Sequence, residues 1–242
     1  MKLYVLGVGD TFTEKHVTHA LLLEHDGFRL AIDCPDSYRR VLKKAAAPDL
    51  FGIDDVLITH IHGDHMNGLE GVGYFKHFAQ KKPLNLHTVA PVKEGLWERR
   101  LAAPMGQLLN ADGSSRKLDF ADYFRWNEVT IDRSCRIGPF EVTARLTKHH
   151  VPTSALFVRC GSSSIGISSD TAFDPTLIEW LSGADLIVHE TNYGPAHTAY
   201  ADLLTLDASV KKRMRLIHYP DEFDIAKSEI PALVEGQVID QG

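Results

Sequence analysis

The segment Thr59-His60-Ile61-His62-Gly63-Asp64-His65 crowds three histidines and a carboxylate into one short turn. It follows the apolar, β-branched run Val56-Leu57-Ile58 and precedes a helical pattern, so it falls where a strand gives way to a helix. In extended chain, residues two apart point to the same side. His60 and His62 can therefore hold one ion together, while Asp64 and His65, at the turn, face a neighbouring ion. Imidazole with carboxylate is a donor set for Zn, Mn or Fe. So many polar groups beside an apolar strand cost too much desolvation to be incidental. The competing reading is a solvated polar loop with one structural zinc. The scattered histidines His16, His19, His25, His77 and His87 are read as ordinary polar residues.

Through His60-Ile61-His62-Gly63-Asp64-His65, an H-x-H-x-D-H run, the chain resembles the metallo-β-lactamase superfamily. The resemblance implies an α/β fold, a four-layer αββα sandwich, with a dinuclear site along one edge of its two sheets. It also locates the remaining ligands in later loops. Lys148-His149-His150-Val151-Pro152 offers the third histidine of the first metal, and His150 is preferred to His149 for its spacing to Phe157, a position usually aromatic in the resembled enzymes. Asp170, in Ser168-Ser169-Asp170-Thr171, would bridge both metals, and His218, in Leu216-Ile217-His218-Tyr219, would serve the second. The implied cofactors are two divalent ions, Zn before Mn or Fe.

Two further motifs narrow the resemblance. Leu186-Ile187-Val188-His189-Glu190-Thr191 and Ala196-His197-Thr198-Ala199 look like the H-E-x-T and H-S/T-x-A motifs of ribonuclease Z, of the cyclic phosphodiesterase of phosphonate breakdown and of related cyclic-nucleotide phosphodiesterases. The pattern Gly63-Asp64-His65 followed by Gly68-Leu69-Glu70-Gly71 agrees. This moves the expected substrate from a thioester or lactam to a phosphodiester. Two ions roughly 3.5 to 4 Å apart activate a bridging water and steady both oxygens of an in-line displacement. The leaving alkoxide still needs a proton. A histidine oriented by a carboxylate is a suitable donor, which gives His197, with Glu190 behind it, its expected role; Asp64 would hold the nucleophilic water as well as metal. The bland alternative for Glu190 and His197 is a structural hydrogen bond at a strand end.

The match has gaps. Bacterial ribonuclease Z inserts its tRNA-gripping arm between the loops equivalent to His150 and Asp170, where this chain has room only for a hairpin. His218 is followed by Tyr219-Pro220-Asp221-Glu222 rather than by a serine and an arginine, and the glycine that often precedes the bridging aspartate is Ser169. The preferred substrate is therefore a small or cyclic phosphodiester. An RNA-processing endonuclease is the runner-up, with structured RNA the less favoured partner, and a non-hydrolytic di-iron redox or sensor protein comes third.

Positioning these residues requires strands that end beside one another. Apolar runs with strand character recur at Leu3-Leu6, Ala20-Leu23, Phe28-Ile32, Val56-Ile58, Val142-Leu146, Leu156-Val158, Ile165-Ile167, Leu186-Val188 and Leu216-Ile217. His25-Asp26-Gly27 predicts a hairpin between the second and third. Helical patterns cover Ser37-Ala46, Asn67-Gln80, Val92-Leu101, Pro175-Leu181 and Thr198-Lys212. Ala103 to Glu128 is the least regular stretch, a candidate lid or substrate loop and equally a surface insertion. With no repeat and no Pro/Ser-rich linker, residues 1–242 are expected to form a single hydrolase domain.

Composition sets outer bounds. With 44% hydrophobic and 24% charged residues the chain reads as a globular protein, and a formal net charge of −6 repels polyanions. Lys211-Lys212-Arg213, the densest basic run, is read as a solvated helix end. Cys34, Cys135 and Cys160 form no C-x-x-C pair, so neither a disulfide framework nor a thiolate zinc site is expected. No run approaches the roughly 20 apolar residues of a membrane helix, and the opening Met1-Lys2-Leu3-Tyr4-Val5-Leu6-Gly7 is too short for a signal peptide. A cytoplasmic location and no membrane partner are the expectation; the oligomeric state, a homodimer included, stays open.

Overall fold

The computed structural model describes residues 1–241; Gly242, the last residue of the expected domain, lies outside them. In chain order the strands are β1 (Lys2–Gly7), β2 (Ala20–His25), β3 (Phe28–Ile32), β4 (Asp55–Leu57), β5 (Leu84–Thr88), β6 (Gln107–Leu109), β7 (Ser115–Lys117), β8 (Phe124–Glu128), β9 (Cys135–Ile137), β10 (Phe140–Leu146), β11 (Ser154–Cys160), β12 (Ser163–Ile167), β13 (Leu186–Glu190), β14 (Met214–Ile217) and β15 (Val238–Asp240). One sheet runs β15-β1-β2-β3-β4-β5-β8, a second β14-β13-β12-β11-β10-β9, and β6-β7 stand apart as a small hairpin. Each large sheet is antiparallel at one side and parallel at the other: β3, β4, β5 and β8 run together in the first, β12, β13 and β14 in the second.

Alternation along the strands builds four layers. In β13, Leu186 and Val188 face the core between the sheets, whereas Ile187 joins Leu177, Ile178, Leu181 and Leu203 of the covering helices. β14 repeats the division, with Ile217 inward and Met214 and Leu216 outward. Strands buried on both faces need a helix on the outside, and parallel neighbours need a crossover to supply it. The helix Tyr38–Lys44 links β3 to β4, and Pro175–Leu181 links β12 to β13. The αββα sandwich of the metallo-β-lactamase fold is the result. The β2–β3 turn is the expected D-G hairpin: Asp26 and Gly27 both take positive φ, 48° and 80°, and register pairs His25 with Phe28.

Two expectations fail. Thr198-Lys212 is not one helix but two short ones, Tyr200–Leu204 and Ala208–Arg213. Thr205 Oγ1 donates back to the Asp202 carbonyl and Asp207 takes a non-helical ψ of 143°, so the local side-chain bond and backbone end the first helix. Thr198 itself is buried in the loop before them, donating to the Thr171 carbonyl. The segment Ala103 to Glu128 is no lid: it holds the β6-β7 hairpin, the capped helix Phe120–Tyr123 and β8, which pairs with β5. None of it lines the cavity over the histidine motif. Among the described residues no helix is long and apolar enough to cross a membrane.

Candidate metal centre

Parallel strands deliver their C-terminal ends to one edge, and open α/β sheets bind ligands there. Asp33 follows β3, His60 and His62 follow β4, Asp170 follows β12, Glu190 ends β13 and His218 follows β14. The two edges are tied across the sandwich. Ser154 at the start of β11 donates through its N–H (3.1 Å) and hydroxyl (3.2 Å) to the Thr59 carbonyl, and the Tyr219 N–H donates to the Val8 carbonyl at 3.2 Å. The motif turns into the short helix Gly63–Met66 and then into Gly68–Phe75. Cys34 N–H donates to the His65 carbonyl and Gly68 N–H to the Cys34 carbonyl, at 2.7 and 2.9 Å. A Cβ at Gly68 would lie 2.1 Å from the Pro35 carbonyl oxygen, so only glycine permits this approach.

Asp170 stands between two ligand sets. Its Oδ2 is 3.6 Å from His60 Nε2 and 3.6 Å from His149 Nε2, and His149 Nε2 is 3.1 Å from His62 Nδ1. Its Oδ1 is 3.3 Å from His65 Nε2 and 3.7 Å from His218 Nε2, and both rings also meet Asp64 Oδ2, at 3.4 and 3.2 Å. His60, His62, His149 and Asp170 thus form one compact donor group, and Asp64, His65 and His218 another. His60 Nε2, His65 Nε2 and Asp170 Oδ1 are enclosed without a well-formed hydrogen bond. Leaving such groups unpaired is costly, and a cation in each set would satisfy all three. The donor set fits divalent metal.

The third histidine of the first set is His149, not His150. The His149 ring donates from Nδ1 to the Ala196 carbonyl at 3.0 Å, which leaves Nε2 facing Asp170. His150, the next residue, is turned outward; it is exposed and lines the open cavity above the site. The remaining expected residues, His60, His62, Asp64, His65, Asp170, Glu190, His197 and His218, come together.

Supporting groups fix the rings. Asp33 accepts from His65 Nδ1–H at 2.7 Å and from the Thr59 N–H and hydroxyl, each at 2.9 Å. The single Thr59 proton being spent on Asp33, its oxygen can only accept from His60 Nδ1, 3.1 Å away, and His60 Nε2 is left as the free donor atom. Asp33 is a carboxylate supporting a ligating histidine that sequence reasoning missed; its position just after the apolar strand ending Ala31-Ile32 was the available signal. Burial pushes His60 well below the usual imidazole range and His149 down to about 4, so both are neutral, the ligating form. For His65 and His218 burial acts the same way, but Asp170 and the other carboxylates outweigh it and raise them. Burial favours the protonated form of Asp170, yet His218, His65 and His60 hold it well below the ordinary carboxylate range. Ser169 carries a positive φ of 50°, the reason a glycine would suit the position.

Glu190 is fully buried and receives the Thr171 N–H at 2.6 Å. His197 Nδ1 lies 3.0 and 3.1 Å from its two oxygens, so one face of the ring is anchored and Nε2 is directed elsewhere. Burial, and after it the Asp170 charge, push Glu190 well above the ordinary carboxyl range. The His197 ring stacks on His218 with centroids 5.5 Å apart and meets His149 at 5.2 Å, so it sits over both ligand sets. Asp170, His197 and His218 also make a compact trio, so proximity alone does not separate a proton donor from a ligand. The cavity above has a volume of about 740 Å³ and is bounded by His62, Asp64, Asp170, His197 and His218 together with the loops after β1, β13 and β14.

This geometry agrees with what known proteins show. The family model described as Anti-Pycsar protein Apyc1 matches residues 1–234. The chain belongs to the Anti-Pycsar Apyc1 family. The member from Saccharibacillus brassicae is 31% identical over 236 residues, covering 91% of this chain and 90% of the relative. The member from Paenibacillus sp. (strain J14) is 29% identical over 230 residues, with 93% and 91% covered. In fold the chain is similar to the metallo-β-lactamase fold protein YhfI from Bacillus subtilis, with a TM-score of 0.78 at 17% identity and 98% of each chain covered. With family, fold and donor set in agreement, the chain is a metal-dependent hydrolase.

Proposed function

We propose that the chain is a phosphodiesterase that opens cyclic nucleotides or similar small diesters at a site holding two divalent ions, zinc before manganese or iron. The observation that carries the reading is Asp170, whose two oxygens face separate histidine sets, with the His197–Glu190 pair directly above. Membership of the Anti-Pycsar Apyc1 family supports the phosphodiesterase part of this reading. His60, His62, His149 and Asp170 would hold one ion, and Asp64, His65, His218 and Asp170 the other. Bound there, such a pair supplies an activated water and neutralises charge on the phosphoryl group. Asp64, at the cavity floor, positions that water. His197, anchored through Nδ1 by Glu190, presents Nε2 to the leaving oxygen as its proton donor.

Charge and shape support a small substrate over folded RNA. Glu14, Asp221 and Glu222 border the cavity against a single lysine, Lys15, and a polyanion would meet them first. Between His149 and Asp170 the chain makes only the β11–β12 hairpin. Metal-loaded protein should hydrolyse bis(p-nitrophenyl) phosphate and a cyclic nucleotide. His62→Ala or Asp170→Ala should lose bound metal and essentially all turnover while keeping a native circular-dichroism spectrum. Tight, salt-resistant binding and specific cleavage of precursor tRNA, with no turnover of cyclic nucleotide, would overturn the proposal.

A further inference from the structure

Two aromatic side chains at the mouth of the catalytic cavity have no packing role. Phe12 is 86% exposed and Tyr193 70% exposed, and both border the cavity that holds His62, Asp64, Asp170, His197 and His218. Scattered exposed apolar residues are normal, but these two lie on separate loops that converge on one site. The loops are held where they are. The Asp10 carboxylate, itself only 4% exposed, accepts the Phe12 N–H through Oδ1 at 2.9 Å and the Asn192 side-chain amide through Oδ2 at 3.0 Å. Asn192 Oδ1 in turn accepts the Tyr193 N–H at 2.7 Å. One buried carboxylate therefore sets the backbone of both aromatics. Asp221 secures the same loop further along, accepting from the Thr13 hydroxyl at 2.5 Å and from the Glu14 N–H at 2.8 Å.

Exposed rings on fixed loops beside a phosphate-cleaving centre suit a flat, apolar group attached to the phosphate. Base–aromatic stacking fits that need, and it tolerates every base because each has a π-face. Resting on the phosphodiesterase reading above, we infer that Phe12 and Tyr193 form the stacking surface for the nucleobase of a cyclic nucleotide, and that Asp10 is the residue that positions them. The phosphate would then lie inward, toward Asp170 and His197, and the base outward at the rim. Discrimination among bases should be slight, since the rings offer a face and no edge-reading pair of donors and acceptors.

The test compares cyclic CMP and cyclic AMP with a base-free ribose 3′,5′-cyclic phosphate on the metal-loaded protein. Phe12→Ala and Tyr193→Ala should each raise KM for both nucleotides by about 5- to 150-fold, the worth of one base–aromatic stack, with kcat little changed. The base-free diester should be turned over as by the parent protein. Tyr193→Phe should restore the nucleotide KM, and Asp10→Asn, with both rings still present, should raise it in the same direction at unchanged metal content. Equal losses on the base-free diester, or unchanged KM for both nucleotides, overturn the inference and leave the phosphodiesterase reading intact. So does a switch in oligomeric state with no change in KM, which would make the aromatics a self-association surface. A parent protein inactive on all three diesters overturns both.

Discussion

Each side chain at this site is defined by what its second polar atom does. His65 and His149 each give one ring nitrogen to a fixed acceptor, Asp33 and the Ala196 carbonyl, so that the other is aimed at Asp170. His197 follows the same pattern with Glu190 but at the cavity surface, and its chemistry should differ accordingly. His197→Ala should keep both ions and lose roughly 10²–10⁴-fold in rate, the worth of general acid catalysis. The loss should be far smaller on a diester releasing p-nitrophenolate, which departs without a proton, than on one releasing a ribose alkoxide. Glu190→Gln should show a weaker effect in the same direction. If His197→Ala loses an ion instead, or both substrates slow by one factor, His197 is a ligand or a structural group. In the same metal assay, His149→Ala should lose an ion and His150→Ala should retain both.

At the scale of elements, the helix that follows the motif depends on how closely its first turn meets the loop after β3. Gly68 and Gly71 lie in one helix, Gly68–Phe75, yet their surroundings are opposite: a Cβ at Gly68 would strike the Pro35 carbonyl at 2.1 Å, whereas nothing lies within 4 Å of one at Gly71. Gly68→Ala should cost about 1–3 kcal/mol or more, the usual penalty of forced overpacking, and should weaken metal binding because His65 moves with the loop. Gly71→Ala should gain up to about 1 kcal/mol from helix propensity. Urea midpoints together with metal content check both; equal effects at the two positions would show that the close approach to Pro35 has no bearing on the site.

For the whole molecule, the centre sits where two sheets meet, and its unpaired buried atoms belong to both. His60 and His65 come from the loops of the first sheet and Asp170 from the second. An ion bound between them links the halves, and binding only to the folded state stabilises it by mass action. Free metal at 100 times its Kd contributes about 2.7 kcal/mol per ion, about 5 kcal/mol for two, which for a chain of this size raises Tm by about 10–20 °C. Calorimetry of chelated and reloaded protein should show that interval, and identical midpoints at saturating zinc would mean that the cluster holds no ion of consequence.

The chemistry of the site was legible where it depends on neighbours in sequence. The i, i+2 geometry of His60 and His62, the turn that brings in Asp64 and His65, and the D-G hairpin at Asp26-Gly27 are properties of short chain segments. The later motifs around Asp170, Glu190, His197 and His218 were recognisable through the family resemblance, and the parallel strands β12, β13 and β14 bring them to a common edge. Tertiary structure decided the rest. Between the adjacent histidines His149 and His150 no local rule chooses, because the choice is made by the Ala196 carbonyl, far along the chain. Asp33 looked like any carboxylate after a strand until Thr59 and His65 were brought to it. The segment Ala103 to Glu128 stayed open between a lid and a surface insertion because its strand partner, β5, was itself unrecognised, and only pairing shows that β8 closes the edge of a sheet. The exposed rings of Phe12 and Tyr193 gained meaning in the same way, when the loops carrying them met at Asp10.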